Sequence, residues 1–132
     1  MNLPPEHKAL VVIAHGSRRV AANEEFFTLV ERIAAQNSAY ALTKPALLEQ
    51  APPTLLQACQ ALPANIKQID VYPLFFNCGR HVEKDIPAQV AEVMEAMPTV
   101  TVRLLPYFGS SPDLAAAVLE HALSSTALDG QD

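Results

Sequence analysis

The hydrophobic positions of the chain alternate between two textures. Lys8–Ala14 and Gln68–Phe76 are short, nearly unbroken apolar runs rich in β-branched or aromatic residues, the texture of strands buried on both faces. Thr99–Pro106 alternates apolar and polar residues and predicts a further strand. Tyr40–Leu48 is a weaker run interrupted by Lys44-Pro45; a proline cannot donate to a sheet ladder, so this strand is expected at a sheet edge. Between these runs the period changes. Phe26, Phe27, Leu29, Val30, Ile33 and Ala34 recur at helical spacing over residues 20–35, and Ile86, Val90, Val93, Met94 and Met97 do so over residues 82–97. Shorter helices are expected at 54–62, opened by Pro52-Pro53, and at 114–123.

Four strands and four helices in strict alternation imply an α/β domain. Crossovers of this length connect parallel strands, so the expectation is a four-stranded parallel sheet with helices on both faces. The domain is placed at residues 8–123, with a flexible lead-in at 1–7 and a flexible tail at 124–132. The loops at 15–19, 49–53, 77–81 and 106–112 then gather on one sheet edge, at the carboxyl ends of the strands, where open α/β sheets bind ligands.

Composition narrows the class of function. A chain of 132 residues that is half hydrophobic forms one domain with a real core. Its net charge of −5, with the basic residues scattered, argues against nucleic acid or an anionic membrane as a partner. No apolar segment reaches the ~20 residues that span a bilayer, and Met1–Lys8 lacks the layout of a signal peptide. Cys59 and Cys78 form neither a CxxC motif nor a disulfide framework. A reduced, cytoplasmic protein is expected.

The polar residues that break the apolar runs are the candidates for chemistry. His15 ends the first strand and His81 follows the third, each beside a glycine, Gly16 or Gly79. Taken singly, either imidazole is explained by bonding its own loop backbone. If the two strands are neighbours they lie ~5 Å apart, and the imidazoles can meet over the sheet edge as a divalent-metal and proton-transfer pair. Glu49 ends the second strand on the same edge; it is either a further carboxylate ligand or an exposed charge before a proline turn. Cys78 is either a soft metal ligand or, the better reading, a partly buried structural thiol, and Glu83 and Asp85 read as favourable charges at a helix start. His7 and His121 read as surface or packing residues. Arg18, Arg19, Arg80 and Lys84 enrich positive charge beside the site and suggest an anionic ligand. There is no GxGxxG, GxxxxGK[ST] or GxSxG motif, so neither nucleotide binding nor hydrolase chemistry has support.

Three motifs together resemble those of the sirohydrochlorin chelatases, most closely the short, single-domain CbiX form. They are Ala14-His15-Gly16-Ser17-Arg18 with Asn23, then Leu47-Leu48-Glu49, then Pro73-Leu74-Phe75-Phe76 with Gly79, His81-Val82 and Asp85-Ile86-Pro87. The resemblance runs in order over residues 8–107. It implies an ATP-independent enzyme, without a permanent cofactor, that inserts a divalent metal into sirohydrochlorin. The metal is cobalt for cobalamin in this branch, and iron or nickel in sister branches. It also implies His15 and His81 as metal-binding and catalytic residues, Glu49 as an acidic position near the metal, and a homodimer. Ser17, Arg18, Arg80 and Lys84 are the candidate contacts to the substrate's carboxylates. The chain departs from the pattern at Phe76, where leucine is common, at Cys78, and in lacking the histidine-rich tract of some longer members. A non-catalytic metal carrier using the same two histidines, or a tetrapyrrole carrier, is the rival reading.

Overall fold

The computed structural model describes residues 3–128. Four parallel strands, β1 (Lys8–Ala14), β2 (Leu42–Leu47), β3 (Gln68–Pro73) and β4 (Thr101–Leu104), form one sheet in the order β2-β1-β3-β4. The strand holding Pro45 is at the edge, as its missing donor requires. β1 lies at the centre, pairing with β2 through Ile13↔Ala46 and with β3 through Val11↔Val71.

Alternation along β1 feeds two layers. Ala9, Val11 and Ile13 join Ala46, Ile69, Val71 and Val102 on one face. There they meet Leu55, Ala58 and Cys59 of α2 (Leu55–Gln60) and Ile86, Val90 and Val93 of α3 (Ile86–Ala96). Burial in this layer pushes the Cys59 thiol pKa up to about 11, so the thiol stays protonated. Val12, buried but outside that cluster, points to the opposite face. There α1 (Val20–Ala35) packs along β2 and buries Val30. The α/β layout expected from the sequence is the one observed.

Helix ends follow local chemistry. α2 begins with a capping box in which Thr54 accepts from the Gln57 N–H and Gln57 reaches back to the Thr54 N–H. The helix expected at 82–97 divides: His81–Asp85 is a π-helical turn, and α3 proper begins at Ile86. Pro87 has no N–H for the bond back to Glu83, so the turn widens, and the Ile86 N–H bonds to the His81 carbonyl. The lead-in is tied down over Pro5–His7, a 3-10 turn. His7 Nδ1 lies 2.9 Å from the Asn65 carbonyl, and Asn65 donates to the Glu6 carbonyl. Of the expected tail, residues 129–132 lie outside the described residues, as do Met1 and Asn2.

On the α1 face a buried carboxylate braces β3 and β4. Asp70 is fully buried and accepts from Arg103 Nε at 2.7 Å, Arg103 Nη2 at 3.0 Å, Tyr40 Oη at 2.6 Å and Gln68 Nε2 at 3.1 Å. Burial alone would raise its pKa, but the bonds from Arg103, Tyr40 and Gln68 outweigh it and hold the carboxyl below its usual value. Burial and the Asp70 bond push the Tyr40 hydroxyl up to about 12.

A depressed carboxyl pKa contributes stability that is fully present above the unfolded value, about 4, and lost as pH falls through the folded value. Tyr40→Phe, which removes one donor from this carboxylate, is expected to cost about 1–2 kcal/mol at pH 7 in urea unfolding. Arg103→Leu leaves the carboxylate without its ion pair, so burial then raises its pKa. The urea midpoint of that variant should fall further than that of Tyr40→Phe at pH 7, and the deficit should shrink as the orphaned group protonates on acidification.

Candidate metal and active site

Beyond the ends of the strands the ladders continue and carry the loops into contact. The Leu48 N–H donates to the Ala14 carbonyl at 2.8 Å and the Glu49 N–H to the His15 carbonyl at 3.1 Å. On the other side of β1 the Leu74 N–H donates to the Ile13 carbonyl at 2.8 Å. Gly16 allows the first of these approaches. Its φ of +93° suits glycine, and a Cβ there would stand 2.0 Å from the Glu49 carbonyl oxygen. Asn23, buried on α1, clamps the loop from below by accepting from the Ser17 N–H and donating to the Ser17 carbonyl, at 3.0 and 2.8 Å.

The result is a compact donor set. One ligand atom each from His15, Glu49 and His81 lies within 4.8 Å of the others. The imidazole rings meet edge to face with centroids 4.8 Å apart, and Glu49 Oε2 is 3.5 Å from His15 Nε2. Ligand atoms on a shared tetrahedral ion lie ~3.3 Å apart, so closing on an ion requires movements of roughly an ångström in half-exposed side chains.

Each ring is held through Nδ1. His15 Nδ1 is 2.9 Å from the Gly16 carbonyl and His81 Nδ1 is 2.7 Å from Asp85 Oδ2. With neutral rings these acceptors place the proton on Nδ1 and leave both Nε2 lone pairs for a cation, the usual arrangement behind metal-binding histidines.

Asp85 is the side chain behind His81 that sequence reasoning set aside. Its charge at a helix start was explained by the macrodipole, yet its side chain makes no cap. The spacing of four between His81 and Asp85, which puts them on one helical face, was the available signal. The other candidates stand apart from the donor set. Ser17 Oγ accepts from the Arg19 N–H rather than capping α1, which has no side-chain cap. Arg18 reaches Gln50 at 3.3 Å, and Gln50 itself sits at φ 79° beside Glu49. Arg80 and Lys84 are exposed. The thiol of Cys78 points to Glu83 Oε1 at 3.7 Å; desolvation and the Glu83 carboxylate raise its pKa, so it stays a protonated thiol. His7 bonds the Asn65 carbonyl at the start of β1, and His121 lies in the last turn of the exposed final helix.

A cleft of ≈ 400 Å³ opens over the two imidazoles, walled by Leu74, Phe75, Phe76, Asn77 and Gly79. A second cavity, ≈ 450 Å³ between β2 and α2, is lined by apolar side chains with Lys44 and Gln57 and offers no metal ligand. The donors and the apolar wall coincide in the first of these two.

Residues 9–125 match the CbiX family model. The chain belongs to the CbiX family. It is similar to the sirohydrochlorin cobaltochelatase of Methanococcus maripaludis, 33% identical over 81 residues, covering 61% of this chain and 56% of that protein. It is also similar to the chloroplastic sirohydrochlorin ferrochelatase of Arabidopsis thaliana, 26% identical over 130 residues, 93% of this chain and 56% of that one. The match therefore spans a little over half the length of these curated relatives. Among solved structures, a putative cobalamin biosynthesis CbiX protein from Marinobacter aquaeolei superimposes with a TM-score of 0.72 at 28% identity, covering 88% of this chain and 94% of that one.

Gly16→Ala tests how the site is assembled. The added methyl collides with the Glu49 backbone in a conformation that disfavours side chains. It is expected to destabilise the fold by at least about 2 kcal/mol and to weaken Co2+ binding, followed by visible absorbance at fixed pH. Unchanged affinity and stability would show that the approach of the two loops does not depend on this glycine.

Proposed function

We propose that the protein is an ATP-independent sirohydrochlorin chelatase that inserts a divalent metal, Co2+ in this reading, on the route to cobalamin. The observation that carries the reading is the convergence of His15, Glu49 and His81 beside an apolar wall. Two neutral imidazoles and a carboxylate suit a borderline divalent ion, and three protein donors leave coordination positions open for incoming nitrogens. No phosphate-binding loop competes with this reading. The metal is a substrate here, and no permanent cofactor is required.

Insertion removes two pyrrole N–H protons and transfers M2+ to the resulting dianionic core. A ring nitrogen replaces an imidazole on the metal, the freed imidazole accepts one of the protons, and the second passes to solvent water at the open cleft. His81 is the better placed acceptor, because Asp85 beside its Nδ1 stabilises the cation that forms. His15, bonded to a neutral carbonyl, is the steadier ligand. Leu74, Phe75 and Phe76 offer a flat macrocycle an apolar surface. Ser17, Arg18, Arg80 and Lys84, on the segments that carry His15 and His81, are the candidates to meet the carboxylate side chains of sirohydrochlorin. The remainder of the proposal is a cytoplasmic homodimer; among the described residues no helix is long and apolar enough to cross a membrane.

Iron or nickel insertion is the second reading. Imidazole and carboxylate accept Fe2+ and Ni2+ as well, and one relative is named a ferrochelatase. Insertion rates measured in parallel with Co2+, Fe2+ and Ni2+, by the change in tetrapyrrole absorbance, separate the metals. Absence of turnover with all three would leave a carrier. His81→Ala should abolish insertion with the far-ultraviolet circular dichroism unchanged. Asp85→Asn should lower it 10- to 100-fold, the usual cost of losing the partner of a metal-binding histidine. Wild-type rates in His81→Ala would refute the assigned role.

A further inference from the structure

The three metal donors ride on three segments, and the sheet ladders bind only two of them directly to each other. His15 and Glu49 are joined by the Glu49 N–H on the His15 carbonyl at 3.1 Å. His81 rides on the helical segment that runs from its π-helical turn into α3. That segment is seated on the sheet by apolar side chains, Ile86, Val90 and Val93. Apolar burial is non-directional. It sets the height of the helix above the sheet more firmly than its register along its own axis.

A polar contact supplies the register. Gln89, about two turns beyond His81, donates from Nε2 to the Leu48 carbonyl at 3.1 Å. Among the described residues this is the one hydrogen bond from residues 79–96 to β1, β2 or the loops beyond them. The acceptor sits at a critical point. Leu48 C=O and Glu49 N–H belong to one planar peptide unit, and in a trans peptide they point in opposite directions. The N–H edge meets the His15 carbonyl and the C=O edge meets Gln89. One rigid plane, attached to the Glu49 Cα, is therefore held from both sides, by the segment carrying His15 and by the segment carrying His81.

The fold alone does not account for a glutamine here. Gln89 Oε1 is buried with no hydrogen-bond partner among the described residues, and an unsatisfied buried acceptor destabilises a protein. Methionine or leucine, of similar size, would fill the same space without that penalty.

We infer that Gln89 is a positioning residue of the metal site, setting the Leu48–Glu49 peptide against the helix that carries His81. This role presupposes the proposed metal site and adds to it a residue outside the donor set. The tolerance is small. The donor atoms lie within 4.8 Å of one another and must draw to ~3.3 Å around an ion. A slip of about an ångström between α3 and that peptide is as large as the closing movement itself.

The test is Co2+ affinity in a double-mutant cycle of Gln89→Met with Glu49→Ala, beside urea unfolding of the metal-free proteins. Affinity is read by visible absorbance at fixed pH, carried to high Co2+ concentration for the weaker variants. Gln89→Met removes the bond and the orphan acceptor together, so its urea midpoint should match or exceed that of wild type. Its Co2+ affinity should nevertheless fall about 10-fold, the lower end of the loss when a group behind a metal ligand is removed. In the Glu49→Ala background the same change should weaken binding less than about 3-fold, because the carboxylate it holds against His81 is gone. Equal losses in the two backgrounds, or unchanged affinity, would overturn the role whatever happens to the urea midpoint. Should Gln89→Met fail to fold by circular dichroism, Gln89→Leu takes its place in the cycle. A wild type that binds no Co2+ would overturn the metal site and the role of Gln89 together. A wild type that shows the coupling yet inserts no metal into sirohydrochlorin would sink the chelatase reading alone.

Discussion

The site depends on the close approach of two backbones beyond the ends of β1 and β2. Parallel strands normally diverge into their loops once the ladder stops. Here the ladder runs on through Leu48 and Glu49, and it can do so because Gly16 presents no side chain to the Glu49 carbonyl. That contact fixes His15 and Glu49 to one another before any cation arrives. The central place of β1 supplies the rest, since its other neighbour, β3, leads through Leu74–Gly79 into the turn that carries His81. A donor set assembled from three loops beside continued main-chain ladders leaves its half-exposed side chains free to adjust while their backbone anchors stay fixed.

Much of this was legible in residue pattern. The β-branched runs, Pro45 at the edge and the helical period of Ile86, Val90 and Val93 specify strands and a buried helix face by simple steric and burial rules. The two histidines stood out because polar residues abruptly ended apolar strands. Whether they meet depends on strand order, which local periodicity does not encode; only the adjacency of β1 and β3 brings the rings to 4.8 Å.

What stayed hidden has a common cause. Asp85 looked like ordinary helix-start charge because the macrodipole accounts for a carboxylate there as readily as its spacing of four from His81 does. Asp70 and Arg103 sat inside apolar strands with nothing to announce that they pair across adjacent strands and draw in Tyr40. α4 (Leu114–Ser124) was expected only as a short helix over 114–123, and its apolar side chains stay exposed on this chain. Sequence records that a face is apolar, not which molecule covers it.

The two histidines also differ in a way that bears on how one site can both hold and release an ion. A metal site that binds too well retains its cargo, so insertion needs a ligand that leaves as the macrocycle arrives. A neutral acceptor behind His15 favours the neutral, ligating ring and offers little to an imidazolium. A carboxylate behind His81 strengthens its nitrogen as a donor but also compensates a positive ring once a pyrrole proton arrives. In the proposed reaction the same hydrogen bond would serve both states of His81, and departure of the ligand would be coupled to uptake of a proton from the macrocycle. A more rigid trio with three equivalent partners would bind metal at least as well and give it up less readily.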